Sequence, residues 1–261
     1  MKATARLLEQ RSSGDVHLRM ERNGIAVLRE AGSSKVRVPR GSHEAILINT
    51  SGGLAGGDRV SIVAEVGPQA DLVLTSQTAE RVYRTLGPAA EIDVSLRVAA
   101  AGQLLWLPQE TILYENASLR RTFDVDLAAD AQFMMIEPLV FGRQAMGEVV
   151  QHVALLDRWT IKQNDALIHS DILRLGPHMP HSRATLGGYS AMAAVVLISA
   201  DVESLIEPVR AVLGPQDGAS AWNGKLIARL VASDGYSLRK RLLKLLVALD
   251  YHHRLPKTWT F

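Results

Sequence analysis

Between Gly24 and about Leu175 the chain is broken into short β-like runs separated by turn-forming residues, and this rhythm constrains the fold class more than any other feature. The runs fall at residues 25–28, 45–48, 60–66, 71–75, 92–98, 123–127 and 149–161. In 60–66, 92–98 and 123–127 apolar and polar residues alternate, the period of a strand with one buried face. No amphipathic helical stretch separates them. That favours antiparallel sheets stacked on one another, as a β-sandwich or a helicoid-like layering, over βαβ units. Strand content of roughly 40% is expected, above the ordinary average. No repeat of fixed length is evident, so a regular solenoid or propeller is not expected. At 261 residues the chain exceeds the usual domain length but stays within the range of β-rich folds, and a single domain over 1–261 is expected.

Two helices are expected, both late. Asp201 is placed to cap the first, whose apolar face is Val202, Leu205, Ile206, Val209 and Leu213. Pro208 should kink or split it, and Gly214-Pro215 should end it. The second runs from about Ser237 to about Tyr251, with Leu238, Leu242, Leu245, Leu246 and Leu249 on one face. Arg239, Lys240 and Arg241 crowd its opening turn, where cations oppose the helix dipole. Either a solvated face or a partner accounts for them.

Composition removes several function classes. Hydrophobic residues make up 47% and charged residues 21%, and no apolar run approaches the length of about eighteen residues that spans a bilayer. The first nine residues, Met1 to Glu9, lack a continuous apolar stretch and cleavage site, so a soluble, cytoplasmic protein is expected. The absence of cysteine rules out disulfides, thiolate zinc sites and cysteine nucleophiles, leaving His, Asp, Glu and main-chain groups for metal chemistry. A formal charge of +2 without clustered Lys/Arg does not suggest nucleic acid.

The most specific stretch is Asn49-Thr50-Ser51-Gly52-Gly53-Leu54-Ala55-Gly56-Gly57-Asp58. Paired glycines permit close backbone approach, and the terminal carboxylate can bind loop amides or face a cavity. It lacks the Gly-Lys-Ser/Thr of a phosphate loop and ends in an acid that repels phosphate. It resembles the Gly-Gly-x-x-Gly-Gly-Asp signature of the UreD (UreH) family of urease accessory proteins. Further blocks follow in that family's order: residues 75–84 (TSQTAERVYR), residues 105–112 (LWLPQETI), Glu137-Pro138 through 142–148 (GRQAMGE), and the Pro-x-x-Trp ending at Trp259. The sequence departs from the family pattern at Asn49-Thr50, where a His-Pro pair is usual, and at Gln77-Thr78, where Pro-Gly is usual. The resemblance implies a β-rich fold with two helices and a non-enzymatic scaffold. It implies binding to UreF, recruitment of UreG, and docking on apo-urease while nickel is installed. A dimeric accessory assembly and a transient passage for Ni²⁺ are implied too, with no tightly bound cofactor.

On that resemblance Asp58, Glu80, Glu110, Glu137 and Glu148 are the candidates to line a nickel route, since a relay ion favours oxygen and imidazole ligands. Asp58 could equally fix its turn, and Glu110 could be a strand-edge residue paired with arginine. Gly52, Gly53, Gly56 and Gly57 form the structural motif, Arg84 and Arg143 are expected in ion pairs, and Tyr83 and Trp106 read as core anchors. Leu238, Leu242, Leu245, Leu249, Trp259 and Phe261 are the candidates for a partner surface. The histidines in His178-Met179-Pro180-His181 and His252-His253 read as exposed loop residues, because ligand sets need three or four convergent groups. The alternative from a different class is a β-sandwich carbohydrate-active hydrolase using Asp58 and Glu110 as acid and base, or a carbohydrate- or protein-binding module. A hydrolase requires suitable carboxyl separation and one raised pKa. Only 5% of residues are aromatic, few for a sugar site, and no Gly-x-Ser-x-Gly elbow is present.

Overall fold

The computed structural model describes residues 11–180, 182 and 185–260, and the expectations placed on the first nine residues, His181 and Phe261 lie outside the described residues. Among the described residues strand accounts for 52% and helix for 14%, more strand than the alternation alone suggested. In chain order the strands are β1 (Ser13–Glu21), β2 (Gly24–Gly32), β3 (Ser34–Arg37), β4 (Glu44–Asn49), β5 (Arg59–Val66) and β6 (Asp71–Ser76). Then come β7 (Glu80–Val82), β8 (Ala90–Val98), β9 (Gln103–Trp106), β10 (Thr111–Leu113), β11 (Ala117–Leu127) and β12 (Gln132–Phe141). The last are β13 (Val153–Gln163), β14 (Ala166–Leu175), β15 (Ala191–Ile198), β16 (Gly218–Trp222) and β17 (Lys225–Ala232).

These strands build a seven-stranded sheet, β14-β13-β11-β8-β5-β1-β2, and a ten-stranded one whose main path is β16-β17-β15-β12-β9-β6-β4-β3, with β10 joining β12 to β7. The sheets are mixed, which corrects the expectation of antiparallel stacking. β5, β8, β11 and β13 pair in parallel in the first sheet, and β4, β6, β9 and β12 do so in the second. Antiparallel pairs sit toward the sheet ends, such as β1 with β2 and β13 with β14. The chain steps from β5 to β6, β8 to β9 and β11 to β12, crossing between sheets each time, so the winding is solenoid-like. Parallel pairing needs a crossover, usually a helix. Here the strand of the opposite sheet supplies it. Alternation reports one buried face and is blind to the direction of the neighbouring strand, which is why the sequence did not reveal the parallel ladders. The coils also differ in content, β7 and β10 being inserted in two of them, which obscures any fixed sequence repeat.

The main core lies between the sheets, and a second apolar layer lies between the ten-stranded sheet and the helices. β12 belongs to both. Phe133, Met135, Leu139 and Phe141 face the inter-sheet core, while Met134, Ile136 and Val140 face the helical layer. A strand covered on both faces reads as a continuous apolar run, and Glu137 interrupts this one on the inter-sheet phase.

Residues 202–205 form a 3-10 turn that leads into α1 (Ile206–Val212), with no side-chain cap from Asp201. Pro208 falls in the first turn of α1, where its missing N–H breaks no helical bond. α2 (Gly235–Ala248) starts earlier than expected, because the Asp234 carboxylate accepts the Ser237 amide at 2.6 Å and caps it. Arg239, Lys240 and Arg241 therefore lie in the second turn and have intramolecular partners. Arg239 pairs with Glu110 at 3.0 Å, Arg241 with Asp217 at 3.2 Å, and Lys240 stands over the Tyr236 ring. The leucines proposed as a partner surface, Leu238, Leu242, Leu245 and Leu249, are buried in the chain's own helical layer. Trp259 is buried there as well and donates its indole N–H to the Leu107 carbonyl at 2.9 Å. Burial of these leucines and of Trp259 leaves them no free apolar face for such a surface. Among the described residues no helix is long and apolar enough to cross a membrane.

Candidate functional site

The glycine-rich loop joins β4 to β5 and packs against β7. The Leu54 amide donates to the Arg81 carbonyl at 2.7 Å, and the Tyr83 amide donates to the Leu54 carbonyl at 2.8 Å. Tyr83 closes the loop further by donating its hydroxyl to the Gly52 carbonyl at 2.8 Å. A Cβ at Gly53 would collide with the Tyr83 ring and the Arg81 carbonyl, and one at Gly56 with Thr85 and the Pro88 carbonyl. These two glycines are required by close approach.

Asp58 is buried at the end of this loop. Its Oδ1 accepts the Ser12 amide at 2.6 Å and its Oδ2 accepts the Ala55 amide at 2.7 Å. The carboxylate thus closes its own turn and ties the start of β1 to it. Glu80, on β7, meets a cavity beside this loop. It lines a pocket of about 100 Å³ together with Asn49, Gly52, Gly53, Thr78 and Arg81. The pocket reaches the inter-sheet core at Val16, Val60 and Ile62. Asn49 donates its amide N–H groups to both Glu80 oxygens, at 3.1 and 3.2 Å. Burial pushes the Glu80 carboxyl up to about 7, against the opposing pull of the Asn49 hydrogen bond, and the charge of Asp58 adds to the rise.

From Glu80 the strand register leads inward. Glu80 is the partner of Thr111 on β10, and Thr111 is the partner of Leu139 on β12. The Thr111 hydroxyl accepts from Arg121 Nη1 at 3.3 Å. Arg121, on β11, is buried between the sheets and bridges two acids, Glu137 at 2.5 Å and Asp157 at 2.6 Å. The Trp106 indole donates to Glu137 Oε1 at 2.5 Å, and the Trp159 indole donates to Asp157 Oδ1 at 3.1 Å. Burial pushes Glu137 up to about 7 despite the pull of Arg121. For Arg121, burial works against its charge, but Asp157 and Glu137 outweigh it and hold the guanidinium protonated. A narrow void connects Glu137 and Asp157 with Asp171 and Arg229, which pair with each other.

The remaining candidates sit apart from this line. Glu110 pairs with Arg239, whose guanidinium lies 4.2 Å from the Trp259 ring centroid, and the neighbouring Gln109 donates to the Thr258 carbonyl at 2.9 Å. That group holds the C-terminal segment and α2 against the sheet. Glu148 accepts the amide and Nε of Arg143 at 2.9 and 2.8 Å, and these bonds lower its pKa. Arg143 also stands over the Tyr114 ring at 4.5 Å. Arg84 is exposed beside an isolated bridge to Ala117. Among the described residues these five acids do not converge on a group of three metal ligands.

Sequence reading missed Arg121, Asp157 and Trp159. The signal was present: Arg121 occupies the inward phase of β11, between Leu119 and Phe123, and Asp157 the inward phase of β13, between Leu155 and Trp159. The acid–base pair of a glycosidase is not favoured. Asp58 is saturated by main-chain amides and Glu110 is committed to Arg239.

The family described as UreD urease accessory protein matches residues 11–260. A urease accessory protein UreD from Mesorhizobium japonicum is 43% identical over 259 residues, covering 95% of this chain and 91% of the relative. One from Rhizobium johnstonii is 40% identical, covering 98% of each chain. One from Paracoccus denitrificans is 42% identical, covering 98% of this chain and 95% of the relative.

Proposed function

The chain belongs to the UreD family of urease accessory proteins, and from that membership we propose that it is a non-catalytic cytoplasmic scaffold that passes Ni²⁺ toward apo-urease. The observation that carries the nickel role is the Glu80 carboxyl, buried beside the glycine-rich loop at a pocket that reaches the otherwise apolar inter-sheet core. A divalent cation entering beside Glu80 displaces its proton and relieves the cost of burying the carboxylate. A carboxylate already hydrogen-bonded by Asn49 and beside the Arg81 charge binds a cation weakly enough to release it. Asp58 acts from behind, raising the negative potential at Glu80 and fixing the loop that forms the pocket wall.

The partners of this scaffold are UreF, the UreG that it recruits, and apo-urease. Because the apolar face of α2 is buried, the partner surface lies on the exposed apolar residues around the start of that helix: Tyr236, Met146 and Val149, which are 70%, 76% and 72% exposed. Gln144 ties the loop carrying Met146 to the helix by donating to the Ser233 carbonyl at 2.7 Å.

Activation of purified apo-urease with UreF, UreG, GTP, bicarbonate and Ni²⁺ tests the route. Glu80→Gln is expected to fold and to assemble with UreF, yet to yield urease with less nickel and less activity. Asp58→Asn and Asp58→Ala are expected to weaken activation too. Full activation by Glu80→Gln rejects the route, whereas loss of the UreF complex in the Asp58 variants alone assigns Asp58 to the turn.

A further inference from the structure

A second group of metal-ligating side chains lies outside this route, immediately after α2. Asp250, His252 and His253 are all exposed, and one ligand atom from each lies within 4.8 Å of the others. Asp250 Oδ1 stands 3.7 Å from His252 Nδ1, and the two imidazoles meet edge to face with centroids 5.6 Å apart. Metal bonds of about 2.0–2.2 Å set neighbouring ligand atoms roughly 3.0–3.4 Å apart. All three side chains are exposed, so their rotamers are free to adjust toward that spacing.

The backbone beneath them is held. Asp250 takes the left-handed conformation at φ 60°, uncommon for a residue with a side chain. The Tyr251 and Asp250 amides donate to the Leu246 and Val247 carbonyls at 2.8 and 3.0 Å, closing the helix end. On either side of the histidines the chain is anchored by buried Leu249 and by Arg254, which pairs with Asp71 and Gln103. The C-terminal pole of α2 adds the partial negative charge of its terminal carbonyls, which favours a cation. Arg254, next to His253 in the chain, is neutralised by Asp71.

We propose that Asp250, His252 and His253 form a surface site for a borderline divalent transition metal. Two imidazoles with one carboxylate suit Ni²⁺, Zn²⁺ or Co²⁺ and discriminate against Mg²⁺ and Ca²⁺. Three protein ligands leave coordination positions open to water or to a donor's side chain, the arrangement of a capture point. Only the identity of the ion as Ni²⁺ rests on the accessory role; the site itself rests on its ligands.

The test is calorimetric titration of the untagged full chain in complex with UreF, using NiCl₂, ZnCl₂ and MgCl₂. Wild type is compared with His252→Ala/His253→Ala and with Asp250→Asn, so that ions bound by UreF cancel. The double variant is expected to lose one equivalent of Ni²⁺ and of Zn²⁺. Asp250→Asn is expected to weaken the same equivalent by about tenfold or more, and Mg²⁺ is expected to give no such equivalent. Unchanged stoichiometry and affinity in the double variant overturns the site. If that variant fails to fold, X-ray absorption of the Ni²⁺-loaded wild-type complex and of His253→Gln decides, since loss of one imidazole must reduce the histidine scattering. Urease activation measured in parallel separates the two readings: lost binding with normal activation leaves the accessory role standing.

Discussion

Glu80 and Asp58 flank the same glycine-rich loop, yet their surroundings push them toward different tasks. Each oxygen of Asp58 accepts a main-chain amide, whereas burial dominates at Glu80, opposed by hydrogen bonds from Asn49 and the Arg81 backbone. A carboxyl raised from 4.5 to about 7 has a definite consequence for stability. Between those values the folded chain binds the proton that the unfolded chain has released, so stability falls as pH rises through the window and levels off above it. Glu137 contributes in the same direction. Comparing wild type with Glu80→Gln isolates the share of Glu80: urea denaturation in steps from pH 4.5 to 7.5 is expected to show a flatter decline for the variant. Identical slopes would mean that Glu80 is solvated and titrates as an ordinary carboxyl. The loop, its glycines and the acids were legible in the sequence because turn chemistry is local. That Glu80 meets the pocket beside this loop was not, because that depends on β7 lying beside the loop.

At the scale of the strand, the informative residues are charges on an apolar phase. β11 and β13 alternate cleanly, with every second side chain inward, and Arg121 and Asp157 fall on that inward set. Such a residue in a buried register demands a partner. Each has one, in a cluster completed by Glu137, Trp106 and Trp159. Arg121→Met removes the cation that bridges the two acids and is expected to cost about 3–5 kcal/mol in urea denaturation. A loss below about 1 kcal/mol, the scale of a surface pair, would show that the charges are not coupled. Strand positions were readable because burial of one face imposes a period of two. Strand direction was not, because parallel and antiparallel neighbours impose the same period. The start of α2 was misjudged for another local reason: Asp234 is the cap, but Gly235 follows it and weakens the helical signal at the first position.

Taken whole, the molecule is two sheets wound by one chain, so its ladders join segments distant in sequence and, among the described residues, the outermost strands β14 and β2 have a strand neighbour on one side only. Those edges carry apolar side chains. Leu167 and Ile172 on β14 are 60% and 58% exposed, and Ile25 and Leu28 on β2 are each 41% exposed. Together with Met146, Val149 and Tyr236 they give an isolated chain two ways to self-associate, strand edge to strand edge and apolar patch to apolar patch. The patch is the part that a partner can cover. If UreF binds around the start of α2, its co-expression should raise the soluble yield, while edge pairing should respond to charge on β14. Leu167→Lys/Ile172→Lys is therefore expected to make the chain more monodisperse in size-exclusion chromatography when expressed alone, without reducing co-elution with UreF. Met146→Ser/Val149→Ser is expected to reduce that co-elution at unchanged melting temperature. A wild-type chain that is already a soluble monodisperse monomer without UreF removes the basis for both expectations. Retained co-elution in Met146→Ser/Val149→Ser moves the partner surface elsewhere.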